Sequence, residues 1–260
     1  VEMYGEAALD VCSLKPAVAG GIMTGIADNW KAALSGRFVP DGYDLELCSP
    51  VRAYSGKKGE TGAAAGLFFG DAGLTVDWSV QPGQGRRQAN AAFTWPVRLS
   101  GTLALALKVR ERWRSYGVEN RTDVRADLKW SPGRWLTALR GMTAVYGKVS
   151  WLGYVEQGYE GRIGAVFLRG TLFHADSWDG RLYCYERDAP GGFNVPAYYG
   201  RGYAVSVYAR LKTASWHDRR RSSFKAYFRA GYSAVPWKSP GLESPRPSRL
   251  ELKAQVVYDF

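Results

Sequence analysis

The amino-acid sequence predicts an all-β protein built from long antiparallel strands, and three observations lead to this fold class. Apolar and polar side chains alternate along many segments, as they do where successive side chains of a strand point to opposite faces. The clearest segments run for about 12 residues, roughly twice the usual strand length in soluble proteins. Clusters of turn-forming residues separate the segments, drawn from 31 Gly and 12 Pro in 260 residues, which is typical of hairpin-connected strands.

The alternation predicts the strands in chain order. In the last segment the even-numbered residues from Leu250 to Phe260 are apolar, and the odd-numbered face is polar except at Val257. The same pattern is present at 2–11, 30–38, 74–81, 103–110, 123–130, 203–212 and 224–233. It is less regular near 136–147 and 162–173, because Arg140 and Arg169 interrupt it and leave both registers open. Hairpin turns are predicted at 70–73, 131–134 and 179–180, and longer loops at 40–61, 188–201, 214–222 and 236–248.

Strand length and the placement of aromatic residues favour a membrane-spanning sheet over a soluble β-sandwich. A tilted strand needs about 9–11 residues to cross a bilayer. The segments that reach this length most clearly are 102–113, 202–213, 223–234 and 249–260. Aromatic residues lie toward the strand ends of the apolar faces, where the girdles of membrane barrels belong; they are Trp113, Trp130, Tyr203, Tyr232, Tyr258 and Phe260.

Charged side chains in the middle of the polar faces point to an enclosed wet interior, because charges facing lipid or a dry core are costly unless paired. The residues predicted to face this lumen are Lys108, Arg110, Arg125, Asp127, Lys129, Arg210, Lys212, Lys225, Arg229, Glu251 and Lys253. The sequence therefore predicts a closed antiparallel transmembrane β-barrel over residues 1–260 as a single domain. At about 18 residues per strand it has about 14 strands, within a range of 12–16. Whether the mixed charges interlock and plug the barrel, or line a weakly anion-selective pore, stays open.

Composition narrows the classes of partner, covalent or metal site, and membrane segment that the chain can have. The net charge of +11 suits basic loops against lipopolysaccharide phosphates or a basic lumen, while the scattering of the basic tracts does not favour nucleic acid. Three cysteines, Cys12, Cys48 and Cys184, form no CxxC pair, so no metal site is expected and one disulfide through Cys48 stays open. No apolar run is long enough for a membrane helix, and no signal peptide is visible. We therefore expect a mature form or a C-terminal fragment of an exported precursor.

Two stretches resemble known outer-membrane proteins. The terminal segment 250–260, with Tyr258 and Phe260, resembles the signal that the barrel assembly machinery reads. Residues 179–202, with Tyr185-Glu186, Phe193 and Tyr199-Gly200, resemble the barrel region of Bacteroidota outer-membrane proteins that carry helix-hairpin-helix domains. The stretches 5–10, 42–44 and 54–56 look similar too. The resemblance implies a porin-like or structural barrel in an outer membrane, without a settled activity, and the family's helix-hairpin-helix part has no counterpart here.

Candidate sites for chemistry are few. A barrel hydrolase of the phospholipase type is the alternative enzyme, with His174 near Ser177 or His217 near Ser222, but no GxSxG motif accompanies them. The basic run Arg219, Arg220 and Arg221 is a candidate contact for lipid-A phosphates. An Arg–carboxylate network is predicted around Asp176, Asp179, Glu186 and Asp188, with Arg181 and Arg187.

The functional expectation is a non-enzymatic channel, or a structural subunit of an envelope complex, embedded in the outer membrane. Its expected partners are membrane lipid and lipopolysaccharide, the assembly machinery during biogenesis, and other envelope proteins. No cofactor is expected. A soluble β-sandwich binding module is the alternative from a different class.

Overall fold

The computed structural model describes residues 1–11, 13–43, 59–117, 120–214, 223–237 and 248–259. These residues form strands joined by turns and two three-residue 3₁₀ turns, with no α-helix among them and so no helix able to cross a membrane. The strands are β1 (Glu2–Asp10), β2 (Lys15–Ala27), β3 (Trp30–Val39), β4 (Glu60–Phe69), β5 (Ala72–Gln81), β6 (Arg86–Arg98), β7 (Leu103–Arg114), β8 (Asn120–Trp130), β9 (Trp135–Val145), β10 (Val149–Glu160), β11 (Gly164–Ala175), β12 (Leu182–Tyr183), β13 (Ala197–Tyr198), β14 (Gly200–Ala214), β15 (Ser223–Trp237) and β16 (Ser248–Asp259).

Fourteen of these strands form one antiparallel sheet in chain order, in which each strand pairs with its neighbours along the sequence. The order departs from the strand numbering at one point, where β11 pairs with β14 and the two-residue strands β12 and β13 form a separate ladder. The all-β class, the antiparallel pairing and the strand number that the sequence predicts are confirmed. The predicted turn at 179–180 is wrong as a hairpin, because these residues lie in the 3₁₀ turn Trp178–Gly180 within the long connection 176–199.

The contacts group the chain into two compact units. The first unit comprises Val1–Pro96 and Leu107–Val124, and the second comprises Val97–Ala106 and Arg125–Phe260. The prediction of a single domain over 1–260 stays a prediction.

In the second unit, the strands have apolar side chains on their exposed face. Along β11, Val166, Leu168 and Leu172 are each more than half exposed, and Arg169 between them is 5% exposed. The same inversion occurs along β10, where Val155 is exposed and Glu156 is buried. Soluble sheets have the opposite arrangement, with apolar side chains inside. The period of two therefore separates an apolar open face from a covered face that carries the charges, together with buried apolar side chains such as Phe167 and Phe173.

The first unit has the same polarity. On its exposed face, Ile22 pairs with Leu34 across β2 and β3, and Ala65 pairs with Val76 across β4 and β5. The opposite face has buried polar groups, with Glu60 1% exposed and Ser79 and Gln81 fully covered. Two separately packed units thus carry the same inverted pattern, which makes it a property of the whole strand sequence.

An arginine on the covered face of the first unit joins three strands. Arg37 of β3 donates from Nε to Glu60 Oε1 of β4 at 2.7 Å and through both Nη atoms to Asp77 of β5 at 2.6 and 3.1 Å. Gly62 leaves the space for this guanidinium, because a Cβ there would lie 2.6 Å from Arg37 Cζ. The bidentate arrangement holds adjacent strands together by charge-assisted hydrogen bonds.

Replacing Gly62 tests whether this arginine needs the gap above the strand. We expect Gly62→Ala to displace the Arg37 guanidinium, break its ion pair with the buried Glu60 carboxylate, and lower the free energy of unfolding by about 2 kcal/mol. The measurement is the denaturant midpoint at constant slope. Gly36→Ala is the matched control, because its nearest neighbour is an ordinary 3.9 Å away. Equal midpoints for the two variants would contradict the packing role of Gly62.

Candidate functional site on the polar face of the second unit

The connection between β11 and β14, residues 176–199, folds across the covered polar face of the second unit. Leu182 and Cys184 are almost fully buried, and they pack with Tyr198 against Leu152 and Phe173 of the sheet. The ring centroids of Phe173 and Tyr198 lie 4.9 Å apart. The paired strands β12 and β13 form the base of this connection. A segment that the sequence suggested as a loop is therefore a packed part of the unit.

Three consecutive residues of the connection, Glu186, Arg187 and Asp188, each meet an opposite charge on the strands. We call them the charge triplet. Arg229 Nη2 and the Tyr198 hydroxyl donate to the two carboxylate oxygens of Glu186. Lys253 Nζ donates to Asp188 Oδ2 at 2.9 Å. The triplet is thus complementary in sign, residue by residue, to the face that it covers.

Glu156 of β10 accepts hydrogen bonds from two arginines. Arg169 of β11 donates from Nε and Nη2 to Oε2 at 2.9 and 2.6 Å, and Arg187 of the triplet donates to Oε1 at 3.0 and 2.9 Å. Arg169 also donates to the Tyr185 carbonyl at 2.6 Å and stacks 4.2 Å above the Tyr154 ring. Every oxygen of the buried carboxylate is therefore paired, which its burial requires.

Arg229 and Lys253 are direct cross-strand neighbours on β15 and β16. Like charges in this position repel one another. The negative charge that offsets them comes from Glu186 and Asp188 of the connection and from Glu251, which lies 3.3 Å from Arg229 and 3.2 Å from Lys253. Arg229 Nε, although buried, has no hydrogen-bond partner among the described residues. The connection therefore supplies two of the three carboxylates at this point.

A cavity of about 660 Å³ lies beside the charge triplet, between residues 193–199 of the connection and strands β14 to β16. Arg229, Glu251 and Lys253 line its sheet side, and Phe193 lines its other side while 85% exposed. The packing of the connection is consequently uneven. The base around β12 and β13 is tight, whereas the bend between them is loosely packed.

This packing shifts the pKa values of Cys184 and Asp188 in the connection. Burial raises the pKa of the Cys184 thiol, although Arg140 and Arg169 act in the opposite direction. Burial also acts to raise the pKa of Asp188, but hydrogen bonds from Lys253 and from the Ala189 amide outweigh it and hold this pKa below its usual value. Cys184 is a free buried thiol, while Cys12 and Cys48 lie outside the described residues. Asp188 is therefore ionised at neutral pH, as its ion pair requires.

Several of the charged residues predicted to face a lumen form ion pairs. Arg110 pairs with Asp123 at 2.6 Å, Arg125 with Asp127 at 2.5 Å, and Arg210 lies 3.8 Å from Glu160. Arg229, Glu251 and Lys253 join the cluster around the charge triplet. Exposed lysines are Lys108, Lys129 and Lys212, while Lys225 is half-buried. That these side chains share an enclosed lumen stays a prediction.

The sequence interpretation missed the importance of Glu156, Arg169 and Arg37. Arg169 and Arg140 are the residues that interrupted the alternation, and the structure places both on the polar face, where Arg169 meets Glu156 and Arg140 meets Asp127. An arginine within an otherwise apolar segment was thus the available signal. In the predicted Arg–carboxylate network, Glu186 pairs with Arg229, Asp188 with Lys253, Arg187 with Glu156, and Asp176 with Arg201. Arg181 donates to the Tyr183 hydroxyl and to the Trp178 carbonyl.

The other candidate residues are placed as follows. His174 Nε2 lies 2.7 Å from Asp176 and 3.0 Å from Arg201, whereas the Ser177 hydroxyl hydrogen-bonds with Tyr146 at 3.0 Å. Tyr258 is exposed opposite Phe224. Residues outside the described ranges are His217, Arg219, Arg220, Arg221, Ser222 and Phe260.

Together the fold and this site define an all-β protein whose strands expose an apolar face, and whose second unit has a charged face covered by its own connection. Comparisons with protein-family models, curated proteins and solved structures give no match to the chain. The resemblance to Bacteroidota outer-membrane proteins therefore stays a prediction.

Neutralising Glu156 tests the double arginine pair. We expect Glu156→Gln to lower the free energy of unfolding by about 3 kcal/mol, because a buried guanidinium is left without its counter-charge. The control is Glu160→Gln on the same strand. The Glu160 carboxylate is 54% exposed and makes only a long contact of 3.8 Å with Arg210, so this substitution is expected to change the free energy of unfolding by no more than about 0.5 kcal/mol. If both variants lost a similar amount of unfolding free energy, the buried arginine pairs of Glu156 would contribute no more to stability than an exposed ion pair does.

The ion pair of Asp188 predicts an acid-dependent loss of stability. Because the folded state lowers the pKa of Asp188, its contribution is present above the unfolded-state pKa and disappears as the pH falls through the lower folded value. We expect wild type to be more stable than Asp188→Asn at pH 7 and the difference to vanish in strong acid. Urea midpoints measured from pH 7 to pH 2 check this. If the difference in urea midpoint between wild type and Asp188→Asn persisted at pH 2, the effect would come from the shape of the side chain rather than from its charge.

Proposed function

We propose that the chain is an integral β-barrel of a bacterial outer membrane. The main observation behind this proposal is that the strands of both units expose apolar side chains and cover charged ones. In water, exposing an apolar side chain such as Leu168, 52% exposed, forgoes on the order of 1 kcal/mol of burial free energy. The same side chains against acyl tails incur no such cost, and the opposite face remains available for charges.

Apolar residues of the open face form a continuous row across four strands of the second unit, as a lipid-facing surface requires. One row runs through Leu168, Val207, Ala230 and Leu252 on β11, β14, β15 and β16. Gln157 continues this row on β10, and its amide oxygen accepts a hydrogen bond from Thr137 at 2.7 Å. These two polar side chains on the surface are thus paired with each other.

Aromatic side chains mark both ends of the apolar surface in the second unit. Trp151 and Tyr159 lie near opposite ends of β10, about 27 Å apart along the strand at about 3.4 Å per residue. A strand tilt of about 40° reduces this to roughly 20 Å, close to the apolar band of outer-membrane barrels. Trp135 joins Tyr159 at 5.0 Å, and Tyr203 lies 6.2 Å from Trp237 at the opposite end. Such rings suit the boundary between lipid and water.

Closure of the sheet completes the proposal. An open sheet in lipid would leave unpaired N–H and C=O groups along the outer edges of β1 and β16, each costing several kcal/mol. Pairing β16 with β1 removes both edges and encloses the polar faces as a lumen. Up-and-down connectivity with fourteen strands, an even number, is typical of single-chain bacterial barrels.

Within the membrane, the barrel's role is a channel, for which the polar faces form the lining. A structural subunit of an envelope complex is the second candidate, favoured by the connection that covers the polar face of the second unit. Arg219, Arg220 and Arg221 remain candidates for lipopolysaccharide contact, and Tyr258 with Phe260 for recognition by the assembly machinery.

Introducing a single charge on the exposed face distinguishes a membrane barrel from a soluble β-protein. We expect Leu168→Lys to destabilise the protein folded in lipid by about 2–4 kcal/mol, because an ammonium near the bilayer midplane is costly. On a soluble surface the same change would stay within about 0.5 kcal/mol. The measurement is the urea midpoint in phospholipid vesicles, followed by heat-modifiable migration on gels.

The matched control is Ile163→Lys. Ile163 is an apolar side chain, 72% exposed, in the turn before β11 and outside the apolar rows, so its replacement is expected to be neutral. Neutral behaviour of both variants, or purification of the wild type in water without detergent, would overturn the membrane assignment.

A further inference from the structure

We infer that the connection between β11 and β14 is a gate that covers a binding patch for small anions. The patch consists of Arg229 and Lys253, and the gate is the bend of the connection, residues 186–196, which we call the tip. This inference rests on the proposed barrel and names the solute class and the control of its lumen. Four features of the described residues lead to it.

The base of the connection is fixed. Leu182 and Tyr198 face each other in the short ladder between β12 and β13. Both side chains lie in the apolar cluster with Leu152 and Phe173, together with the buried Cys184. Detaching this base would expose several apolar side chains at roughly 1.5–3 kcal/mol each. The base therefore stays in place when the rest of the connection moves.

The tip is held mainly by charge. Its inward contacts are chiefly the ion pairs of the charge triplet. Gln255 also donates to the Pro190 carbonyl at 3.3 Å, and the Arg187 guanidinium stacks 3.6 Å from the centre of the Phe167 ring. The cavity of about 660 Å³ separates residues 193–196 from the strands. Phe193 is 85% exposed, and Gly191 adopts the left-handed φ of +79° that lets the chain reverse. Ion pairs exchange readily with water where one partner is exposed, and the Lys253 side chain is 42% exposed.

The tip supplies the counter-charge of the patch. With Glu186 and Asp188 in place, the adjacent cations Arg229 and Lys253 are matched by three carboxylates. Without the tip, Glu251 alone remains beside them, and Arg249 lies 3.5 Å from the same carboxylate. The uncovered patch then carries a net positive charge, because the Glu186 and Asp188 carboxylates no longer contact it.

A solute with a carboxylate or phosphate group replaces what the tip provides. Arg229 presents a guanidinium to the cavity, with Nε unused by any described residue, and guanidinium groups bind such oxyanions through paired hydrogen bonds. The tip and a small anion therefore compete for the same two cations. When the tip occupies the two cations the gate is closed, and when the tip is away the same cations give the open state its preference for anions.

The test is conductance of the purified full chain in planar bilayers, with chloride as the probe anion. We expect the wild type to be mostly closed. The isosteric variant E186Q/D188N is expected to raise the open probability on the order of tenfold, which corresponds to about 1.4 kcal/mol. Its reversal potential in a KCl gradient is expected to show preference for chloride over potassium.

The control for charge is D28N/D71N, which also neutralises two carboxylates, both in exposed turns of the first unit. It is expected to conduct like the wild type. A second variant, R229Q, breaks the same ion pair from the strand side. It is expected to open the gate as well, but with a weaker preference for chloride, because the patch has lost one of its cations.

The outcomes separate the gate from the barrel. Heat-modifiable migration and vesicle insertion of each variant establish first that it folds in the membrane; a wild type that fails both overturns the barrel and the gate together. With insertion established, a wide open wild type, or an E186Q/D188N variant as silent as D28N/D71N, overturns the gate and leaves the barrel standing. An open variant that prefers potassium overturns the anion patch.

Discussion

The arrangement of both units depends on one constraint, which is that the apolar side of each strand lies on the open face of the sheet. A period of two places Leu168 outward and Arg169 inward on the same strand, and no rotation of the strand can bury both. Shifting the register by one residue would move every charge to the apolar side. The exposed face therefore presents apolar side chains to its surroundings, and the covered face must satisfy its charges within the protein or with water.

The covered face meets this requirement by pairing across strands and, in the second unit, by the connection. Glu156 and Arg169 come from paired strands, so the sheet alone brings them together. Arg229 and Lys253 are also brought together by the sheet, but with the same sign. Negative charge from outside the strand pair is then needed, and the charge triplet provides it. The path of the connection follows from a local imbalance of charge on the strands.

Alternation predicted eight of the fourteen sheet strands clearly, and β9 and β11 with their register open, because it reflects the backbone geometry of each strand alone. Strands β2, β4, β6 and β10 were not predicted individually. Segments near Arg140 and Arg169 were ambiguous for the same reason, since their long side chains on the polar face resemble a shifted register. The fold of the connection could not be predicted. Its two strands have two residues each, too few for a period, and Glu186 and Arg229 lie 43 residues apart in sequence. Only the cluster of acidic residues next to Arg187 indicated a network there.

The chemistry of the contact between tip and strands bears on whether that contact is permanent. Apolar packing of similar volume often stabilises a protein as well as buried ion pairs do, or better, and the base of the connection uses such packing around Leu182. At the tip, by contrast, three successive charged residues face strands β10, β15 and β16. Because the alternating signs of the triplet match one position only, the contact is specific. Because Lys253 is 42% exposed, water and small ions can reach its pair with Asp188, which makes this part of the contact reversible. A permanent seal would need neither property, whereas a gate needs both.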